Sequence, residues 1–228
     1  MAYNYSVIIT NHSSHSDYFM LYQDDPTSWA PNALAIAWFS KYSNPGANVT
    51  VKFTWTLDWG FSWADVGKLT PGVLFEATDQ VPIKGSQDNQ ITLDYNGAYR
   101  FMSQQAGADP NRFYLAESAT IPVNSPASVG ITLGGKTVYA AQARPNTNLT
   151  FSPHVSYYLA YGNYAPGDVL DVSSINNPLK LEFGTGVYSL HTTLNANDSW
   201  TPPTPTAKIN ARLIEERTRN PKASWTDF

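Results

Sequence analysis

The sequence predicts an all-β protein, built as an antiparallel β-sandwich of about ten strands with a short C-terminal helical arm. Apolar and polar residues alternate along many short segments. Successive side chains of a strand point to opposite faces, so this alternation is typical of sheets with one buried face. The segments are rich in Val, Ile, Thr, Tyr and Phe, and turn residues separate them, with 14 Gly and 16 Pro among 228 residues.

The first predicted strands cover residues 5–10, 17–23 and 33–41, each bounded by Asn, Ser, Asp or Pro. The next is the stretch VKFTWTLDWGFSW, residues 51–63, in which every second residue is apolar and three are Trp. We interpret this stretch as one strand, with its middle in the core and its last turn presenting rings to a ligand. Gly60 within it allows a bend or a bulge.

Further strand segments follow, without an internal repeat. One of them contains Gly134-Gly135. Because Gly accepts the positive φ values of primed turns, we expect a two-residue hairpin turn there. These later segments cover residues 72–83, 89–96, 98–105, 112–123, 128–144, 149–164 and 179–195.

Residues 1–201 are expected to form a single sandwich domain, since all-β domains of this length are common. A Pro-rich linker, residues 202–206, leads to a C-terminal arm, residues 207–228, with a short predicted helix that ends at residue 219. A helix this short is marginal on its own, so we expect the arm to dock on the sandwich or on a neighbouring subunit. The second case makes the protein a homo-oligomer joined through the arm.

Composition bears on partners and compartment. The net charge is −4 and no cluster of Lys and Arg is present, so we expect neither a nucleic acid nor a membrane as partner. The chain has no Cys, which excludes disulfides and thiolate chemistry. The first residues lack a basic segment followed by a long apolar run, so a cytoplasmic location is expected, with export by another route left open.

Motifs for catalysis are few. Two of the four His, His12 and His15, lie three apart in a turn-like segment, but no ligand set of known geometry accompanies them, and we expect no metal. No nucleophile elbow, phosphate-binding loop or other cofactor motif is present, so we expect no cofactor. If the protein is an enzyme, the candidate proton donors or acceptors are His154, which precedes several Tyr, and Asp58 in the aromatic stretch.

Large rings near strand ends are the candidates for ligand binding. Rings on one face of a strand can instead fill the core, since such rings pack two sheets together. A sugar or another flat ligand would use rings at the rim, with Asp, Asn or Gln nearby to accept hydrogen bonds from hydroxyl groups. The predicted ligand-binding residues are Trp29, Trp59, Trp63, Asp65 and Tyr157.

Several ordered segments resemble the rhizosphere-expressed RhiA family over about residues 5–201. The segments are ALAIAWFSK, VKFTWTLDWGFSW followed by GKLTPGVLFEA, QARPNTNLTFSPHVSYYLAYGNY and GVYSLHTTLNANDSWT. The resemblance implies a single-domain protein of root-nodule bacteria, expressed under quorum-sensing control and acting in the interaction with a plant host. It implies no biochemical activity and no catalytic residue.

Three functions from different classes follow. The leading hypothesis is a non-enzymatic binding protein for a carbohydrate or another small ligand, which predicts an exposed ring cluster flanked by amides and carboxylates. The second is a cyclase or isomerase of a secondary metabolite, which predicts an aromatic cavity and a perturbed titration of a buried group. The third is a self-assembling structural protein joined by its C-terminal arm.

Overall fold

The computed structural model describes residues 4–23, 32–46, 49–153 and 156–206. These residues confirm the all-β class, with a 3-10 turn at Val172–Ser174 and seventeen strands, several of them shorter than the segments predicted from sequence. The strands are β1 Tyr5–Asn11, β2 Asp17–Gln23, β3 Leu34–Ala35, β4 Phe39–Ser43, β5 Thr50–Trp55, β6 Trp59–Asp65, β7 Asp79–Pro82, β8 Gln90–Tyr95, β9 Tyr99–Phe101, β10 Phe113–Glu117, β11 Ala127–Leu133, β12 Lys136–Gln142, β13 Thr147–Phe151, β14 Tyr157–Gly162, β15 Leu179–Leu181, β16 Ser189–Leu194 and β17 Thr204–Pro205.

The described strands form four sheets. Their strand orders are β3-β12-β11-β6-β7, β13-β10-β8-β9, β17-β16-β1-β5 and β15-β14-β2-β4. Most neighbouring strands are antiparallel, as predicted, but β1 pairs with β16 and β8 pairs with β10 in parallel. β1 and β16 are distant in sequence, and β8 and β10 are separated by β9. The local alternation of residues reports neither pairing.

Ring contacts show which sheets face each other. Trp59 of β6 packs on Phe113 of β10, with ring centroids 5.3 Å apart, so the first two sheets share a core that we call the β6 half. Trp55 of β5 packs on Tyr157 of β14, with centroids 5.0 Å apart, so the other two sheets share a core that we call the β14 half. Buried residues of all four sheets belong to one continuous hydrophobic cluster.

The prediction of a single strand over residues 51–63 is wrong. The alternation continues through two strands, β5 and β6, which belong to different halves, and the chain turns between them at residues 56–58. The Thr56 hydroxyl donates to the Asp58 carboxylate, and the Asp58 carbonyl accepts from the Gly134 N–H at 2.8 Å. The first bond lies within the turn, and the second ties the turn to the Gly134-Gly135 segment.

Gly60 does not bend the strand. It lies within β6 at a point where the neighbouring strands come very close to its Cα. A Cβ at this position would lie 2.6 Å from the Thr132 hydroxyl oxygen and 2.9 Å from the Val81 carbonyl oxygen on the two neighbouring strands. Any side chain larger than hydrogen would therefore push apart the strands on either side of β6.

The predicted third strand, residues 33–41, is also divided in two. Its first part, β3, pairs with β12, and its last part, β4, pairs with β2 in the other half. Between them the Ala37 N–H donates to the Asp168 carbonyl and the Trp38 N–H donates to the Leu21 carbonyl. The segment therefore crosses from one half of the molecule to the other.

Trp38 fills the junction between the halves. It is 1% exposed, and its indole N–H donates to the Leu133 carbonyl at the end of β11. Its ring lies 5.3 Å from that of Trp55 and 5.9 Å from that of Tyr157, both in the β14 half. One side chain thus contacts both cores.

The hairpin prediction is confirmed. β11 and β12 are joined by Gly134 and Gly135, whose φ values are 55° and 75°. Positive φ at both central residues is the requirement of the type I′ turn, which matches the twist of the flanking strands.

The C-terminal part of the described chain runs along β16. β17, which lies in the predicted linker, pairs with Leu190 and His191 of β16, and the Thr206 N–H donates to the Ser189 carbonyl. Pro205 is tolerated because β17 is an edge strand. The predicted helical arm, residues 207–228, lies outside the described residues. No helix in the described part of the chain is long and apolar enough to span a membrane.

Candidate ligand-binding groove

A groove of about 180 Å³ opens at one end of the β14 half. Two aromatic rings form its apolar wall, and polar side chains from three separate turns surround them. The lining residues are His15, Tyr161, Asn176, Asn177, Leu194, Asp198 and Trp200. Such a site combines apolar faces with a few placed polar groups, as small-molecule sites usually do.

Tyr161 is held in place by both its ring and its hydroxyl group. It stands opposite Phe19 on the neighbouring strand, and the two ring centroids are 4.6 Å apart. Its hydroxyl donates to the His15 carbonyl at 2.6 Å and accepts from the Asn11 amide at 3.2 Å. The ring also packs on the His15 imidazole, with centroids 5.2 Å apart. Since the hydroxyl is bonded within the protein, Tyr161 contributes the remaining part of its ring surface to the groove.

Trp200 forms the second part of the apolar wall. Its indole N–H donates to the Asn177 carbonyl at 2.9 Å, and its ring packs on Phe19 with centroids 5.9 Å apart. The side chain remains half-buried. The indole is therefore fixed at one edge and exposes part of its surface to the groove.

Two turns with left-handed backbone place the polar groups. Among the described residues, four non-glycine residues have positive φ, and Asn177 at 47° and Asp198 at 59° are two of them. Asn and Asp tolerate this conformation better than other non-glycine residues. The Asn177 amide donates to the Asp198 carbonyl at 2.7 Å, so the two turns support each other.

The exposed polar groups of the groove come from His15, Asn176 and Asp198. The His15 and Asp198 side chains are 48% and 57% exposed, and His15 Nδ1 lies 3.9 Å from Asp198 Oδ1. Asn176 is also exposed. Together they provide carboxylate, amide and imidazole groups beside two half-buried rings.

A larger depression of about 360 Å³ lies over the outer surface of β12. Glu76, Gln80 and Lys136 contribute its polar groups, but the rings beside it, Trp38 and Phe75, are 1% and 4% exposed. This depression therefore offers little ring surface and fits the predicted combination less well than the groove.

The structure places the predicted residues Trp59 and Trp63 inside the β6 half. They are 5% and 8% exposed, and the Trp63 ring packs on Tyr99 with centroids 5.7 Å apart. Trp63 Nε1 has no hydrogen-bond partner among the described residues. Asp65 is exposed at the end of the same strand. Ligand binding by these three residues stays a prediction.

Of the two residues predicted as alternatives for catalysis, the structure describes only Asp58. Asp58 is exposed in the turn between β5 and β6, where its carboxylate accepts from Thr56. His154 and the predicted ligand-binding residue Trp29 lie outside the described residues. Among the described residues, no group of three His, Asp or Glu is placed to hold a metal ion.

Tyr157 is 2% exposed and lies in the core of the β14 half. Burial raises the pKa of its phenol well above the usual value, because the charged form would lose its hydration. The nearby Trp55 indole opposes this effect weakly, although Trp55 Nε1 and the Tyr157 hydroxyl do not meet in hydrogen-bond geometry.

Glu117 is a buried acid that the sequence reasoning did not single out for this property. It is 3% exposed at the end of β10, and its Oε2 accepts from the Arg144 backbone N–H at 2.9 Å. Burial raises the pKa of this carboxyl to about 7, and the Arg144 hydrogen bond lowers it by a smaller amount. No ring cluster with exposed acceptors accompanies it, so Glu117 bears on stability rather than on the groove.

Sequence reasoning missed the groove because its members come from distant segments. Trp200 and Tyr161 both pack on Phe19, and no local pattern links these three positions. A partial signal was present: Asn177 and Asp198 lie in Asn-rich stretches, INNP and NANDS, of a kind that favours left-handed turns.

A family model and a known protein that match this chain both carry the name RhiA. A family model described as RhiA matches residues 2–202 of the chain. Protein RhiA of Rhizobium leguminosarum bv. viciae is 31% identical over 197 residues, which cover 86% of this chain and 84% of that protein. No solved structure matches the chain significantly.

Proposed function

This chain belongs to the RhiA family, and we propose that it is a non-enzymatic binding protein for a carbohydrate, held in the groove between Tyr161 and Trp200. The proposal rests on which polar atoms of the groove are bonded within the protein and which are exposed to solvent. The polar atoms of both rings are bonded within the protein, while the carboxylate of Asp198 and the side chains of His15 and Asn176 face solvent.

A sugar ring is complementary to a groove that combines aromatic ring surfaces with exposed hydrogen-bond acceptors. Its C–H faces are apolar enough to lie on an aromatic ring, and its hydroxyl groups project around the edge and donate to carboxylate and amide oxygens. Asp198 would accept from such hydroxyls, and a hydrogen bond to a charged group is stronger than one between neutral groups.

The size of the groove limits the ligand. Its 180 Å³ is below the roughly 300–1,000 Å³ of pockets that enclose drug-sized molecules. The groove is therefore suited to a single sugar unit, either a free monosaccharide or one unit of a longer chain. In this proposal the contact with a plant host that the family resemblance implies is made through that sugar.

The test is saturation-transfer NMR with methyl glycosides of glucose, galactose, mannose and N-acetylglucosamine. We expect transfer to the C–H protons of at least one glycoside. Asp198→Asn should weaken its binding about tenfold, or about 1.4 kcal/mol, because the charged acceptor is lost while Asn keeps the left-handed turn.

Asp65→Asn is the matched control, since Asp65 is an exposed strand-end acid beside Trp63 in the β6 half. It should leave binding unchanged. If Asp65→Asn weakens binding and Asp198→Asn does not, the sugar binds at the end of β6, beside Trp63 and Asp65, and not in the groove. No transfer to any glycoside from folded protein would contradict carbohydrate binding itself.

The other two hypotheses stay predictions. Of the residues they name, Asp58 lies exposed in a turn, and His154 and the arm at residues 207–228 lie outside the described residues. Assembly through the arm and a cytoplasmic location stay predictions. Comparing the oligomeric state of the full chain with that of a chain ending at residue 206 tests the first, and cell fractionation tests the second.

A further inference from the structure

One side chain of the groove, His15, contacts both an aromatic ring and the acid that the groove presents. Its imidazole lies against the Tyr161 ring, with centroids 5.2 Å apart and 47° between the planes. Nδ1 of the same imidazole lies 3.9 Å from Asp198 Oδ1. The imidazole therefore lies against the ring surface and the carboxylate that a sugar in the groove would also contact.

The imidazole can move while the groups around it are fixed. The His15 backbone is held, because its carbonyl accepts from the hydroxyls of Ser13 and Tyr161. The Tyr161 ring is held by Phe19, which is 0% exposed. The His15 side chain, in contrast, is 48% exposed, and its contact with Asp198 is longer than a hydrogen bond. Half-exposed side chains of this kind change rotamer rapidly, so the imidazole can turn away from Tyr161 without a change of backbone.

Protonation of the imidazole strengthens both of its contacts. With Asp198 the imidazolium forms an ion pair, whereas the neutral ring makes only a polar contact. Over the Tyr161 ring the imidazolium gains a cation–π attraction, which acts within about 6 Å of a ring centroid. Histidine side chains ordinarily change charge between about pH 5 and pH 8. The position of the imidazole should therefore depend on pH in this range.

The other groups near the imidazole leave Asp198 as the partner of its charge. Of the elements that line the groove, β14 contributes the Tyr161 phenol, and the turn before β15 contributes uncharged amide side chains. The turn that carries His15 also carries His12, and Asp17 begins the strand after it. The Asp17 carboxylate accepts from the backbone N–H of the next residue. Among the described residues, Asp198 is the acid whose oxygen lies close to an imidazole nitrogen of His15.

On the basis of the proposed carbohydrate function, we propose that His15 is a pH-dependent gate of the groove, a side chain that admits the sugar in one charge state and excludes it in the other. The charged imidazole stays on Tyr161 and pairs with Asp198, so that neither is free for the sugar. The neutral imidazole turns aside and frees both. Since an exposed ion pair and an exposed cation–π contact are each weak, we expect the affinity for the sugar to be about fivefold lower at pH 5.5 than at pH 8.

The experiment measures the affinity of the full chain for the methyl glycosides of glucose, galactose, mannose and N-acetylglucosamine at pH 5.5 and pH 8, by saturation-transfer NMR. An ordinary carboxyl stays ionised across this range. His15→Gln should bind equally well at both values, because Gln carries no charge at either. His12→Gln, an exposed position that does not line the groove, is the matched control and should keep the fivefold difference. Glu117, with its pKa raised to about 7 by burial, is present in all three chains and cannot cause a difference between them.

A second measurement follows the gate without any sugar. The nuclear Overhauser effect between the ring protons of His15 and Tyr161 should be stronger at pH 5.5 than at pH 8, and Asp198→Asn should remove this difference. Equal effects at both values in the original chain, or a pH-dependent affinity that persists in His15→Gln, would overturn the gate. If the Overhauser effect changes as expected and no glycoside binds at either pH, the movement of His15 is supported and the carbohydrate function fails.

Discussion

Two pairs of aromatic rings, one in each half of the molecule, are used differently. In the β6 half, Trp59 and Trp63 are almost fully buried and face rings of the opposite sheet. In the β14 half, Tyr161 and Trp200 are only half-buried and border the groove. Both halves are rich in large rings, so ring content alone does not distinguish a core from a binding surface.

What distinguishes these two pairs of rings is the neighbourhood of the ring edge. Trp63 has a buried N–H without a partner among the described residues, whereas the Trp200 N–H and the Tyr161 hydroxyl are bonded to carbonyls of the turns around them. Bonds to turns fix a ring at the surface of the sandwich, where one face stays accessible. Sheet-to-sheet contacts bury both faces.

The strongest way to break the comparison is to remove the side chain that joins the halves. Trp38→Ala should lower the free energy of unfolding by about 3–5 kcal/mol, because it empties a site that contacts both cores. Urea unfolding followed by circular dichroism and by fluorescence measures this loss. Tyr42→Ala, which truncates a ring that is 55% exposed, should change stability by only about 0.5 kcal/mol. A loss below about 1 kcal/mol in Trp38→Ala would show that the halves do not depend on this junction.

The second prediction concerns the buried acid of the β6 half. The pKa of Glu117 is about 7 in the folded protein against 4.5 for an ordinary Glu, so the folded state binds the proton more tightly than the unfolded state. The contribution of Glu117 to stability should therefore be most favourable below about pH 4.5 and should be lost as the pH rises from about 4.5 through 7. Glu117→Gln should remove this fall and be more stable than the original chain at pH 8, by on the order of 3 kcal/mol.

Unfolding in urea at pH 5 and pH 8 measures the effect. Glu182→Gln is the control, because Glu182 is an exposed acid whose Lys180 ion pair contributes little. Equal pH dependence in Glu117→Gln and the original chain would mean that the carboxyl is hydrated in the folded state. Glu117 would then not be a dehydrated buried acid, and the β6 half would lose this difference from the β14 half.

The smallest effect is expected at the groove. Asn177→Ala should cost about 1–2 kcal/mol, because Ala disfavours a φ of 47° and the amide bond to the Asp198 carbonyl is lost. Thermal unfolding and glycoside affinity should decrease together. The neighbouring substitution Asn176→Ala should leave stability unchanged within about 0.5 kcal/mol and reduce glycoside affinity alone. If Asn177→Ala keeps full affinity, the left-handed turns do not shape the groove.

The sequence was informative where structure depends on neighbouring residues. The bounds of β2 and the glycine turn between β11 and β12 follow from alternation and from backbone freedom, which act over a few residues. The division between β5 and β6 does not, because Leu57 continues the apolar alternation through the turn. Alternation reports which face a side chain takes, not which sheet its strand joins.

The candidate sites were the least predictable part for the same reason. Tyr157 was predicted to bind a ligand, and in the structure its ring packs on Trp55 of β5 while its cross-strand partner is Gln23 of β2. The groove needs Tyr161 and Trp200 to meet across Phe19. Such meetings are set by strand order, which short-range patterns do not encode.

The parallel pairing of β1 with β16 also bears on synthesis of the chain. Ser6 and Ser189 are hydrogen-bonded partners 183 residues apart. At roughly 5–20 residues per second, a ribosome needs on the order of 10 to 40 s to make the residues between them. During that time one edge of the first strand has no partner, and an open strand edge is a template for pairing with other chains. Completion of this sheet is thus delayed until β16 has been made and closes that edge.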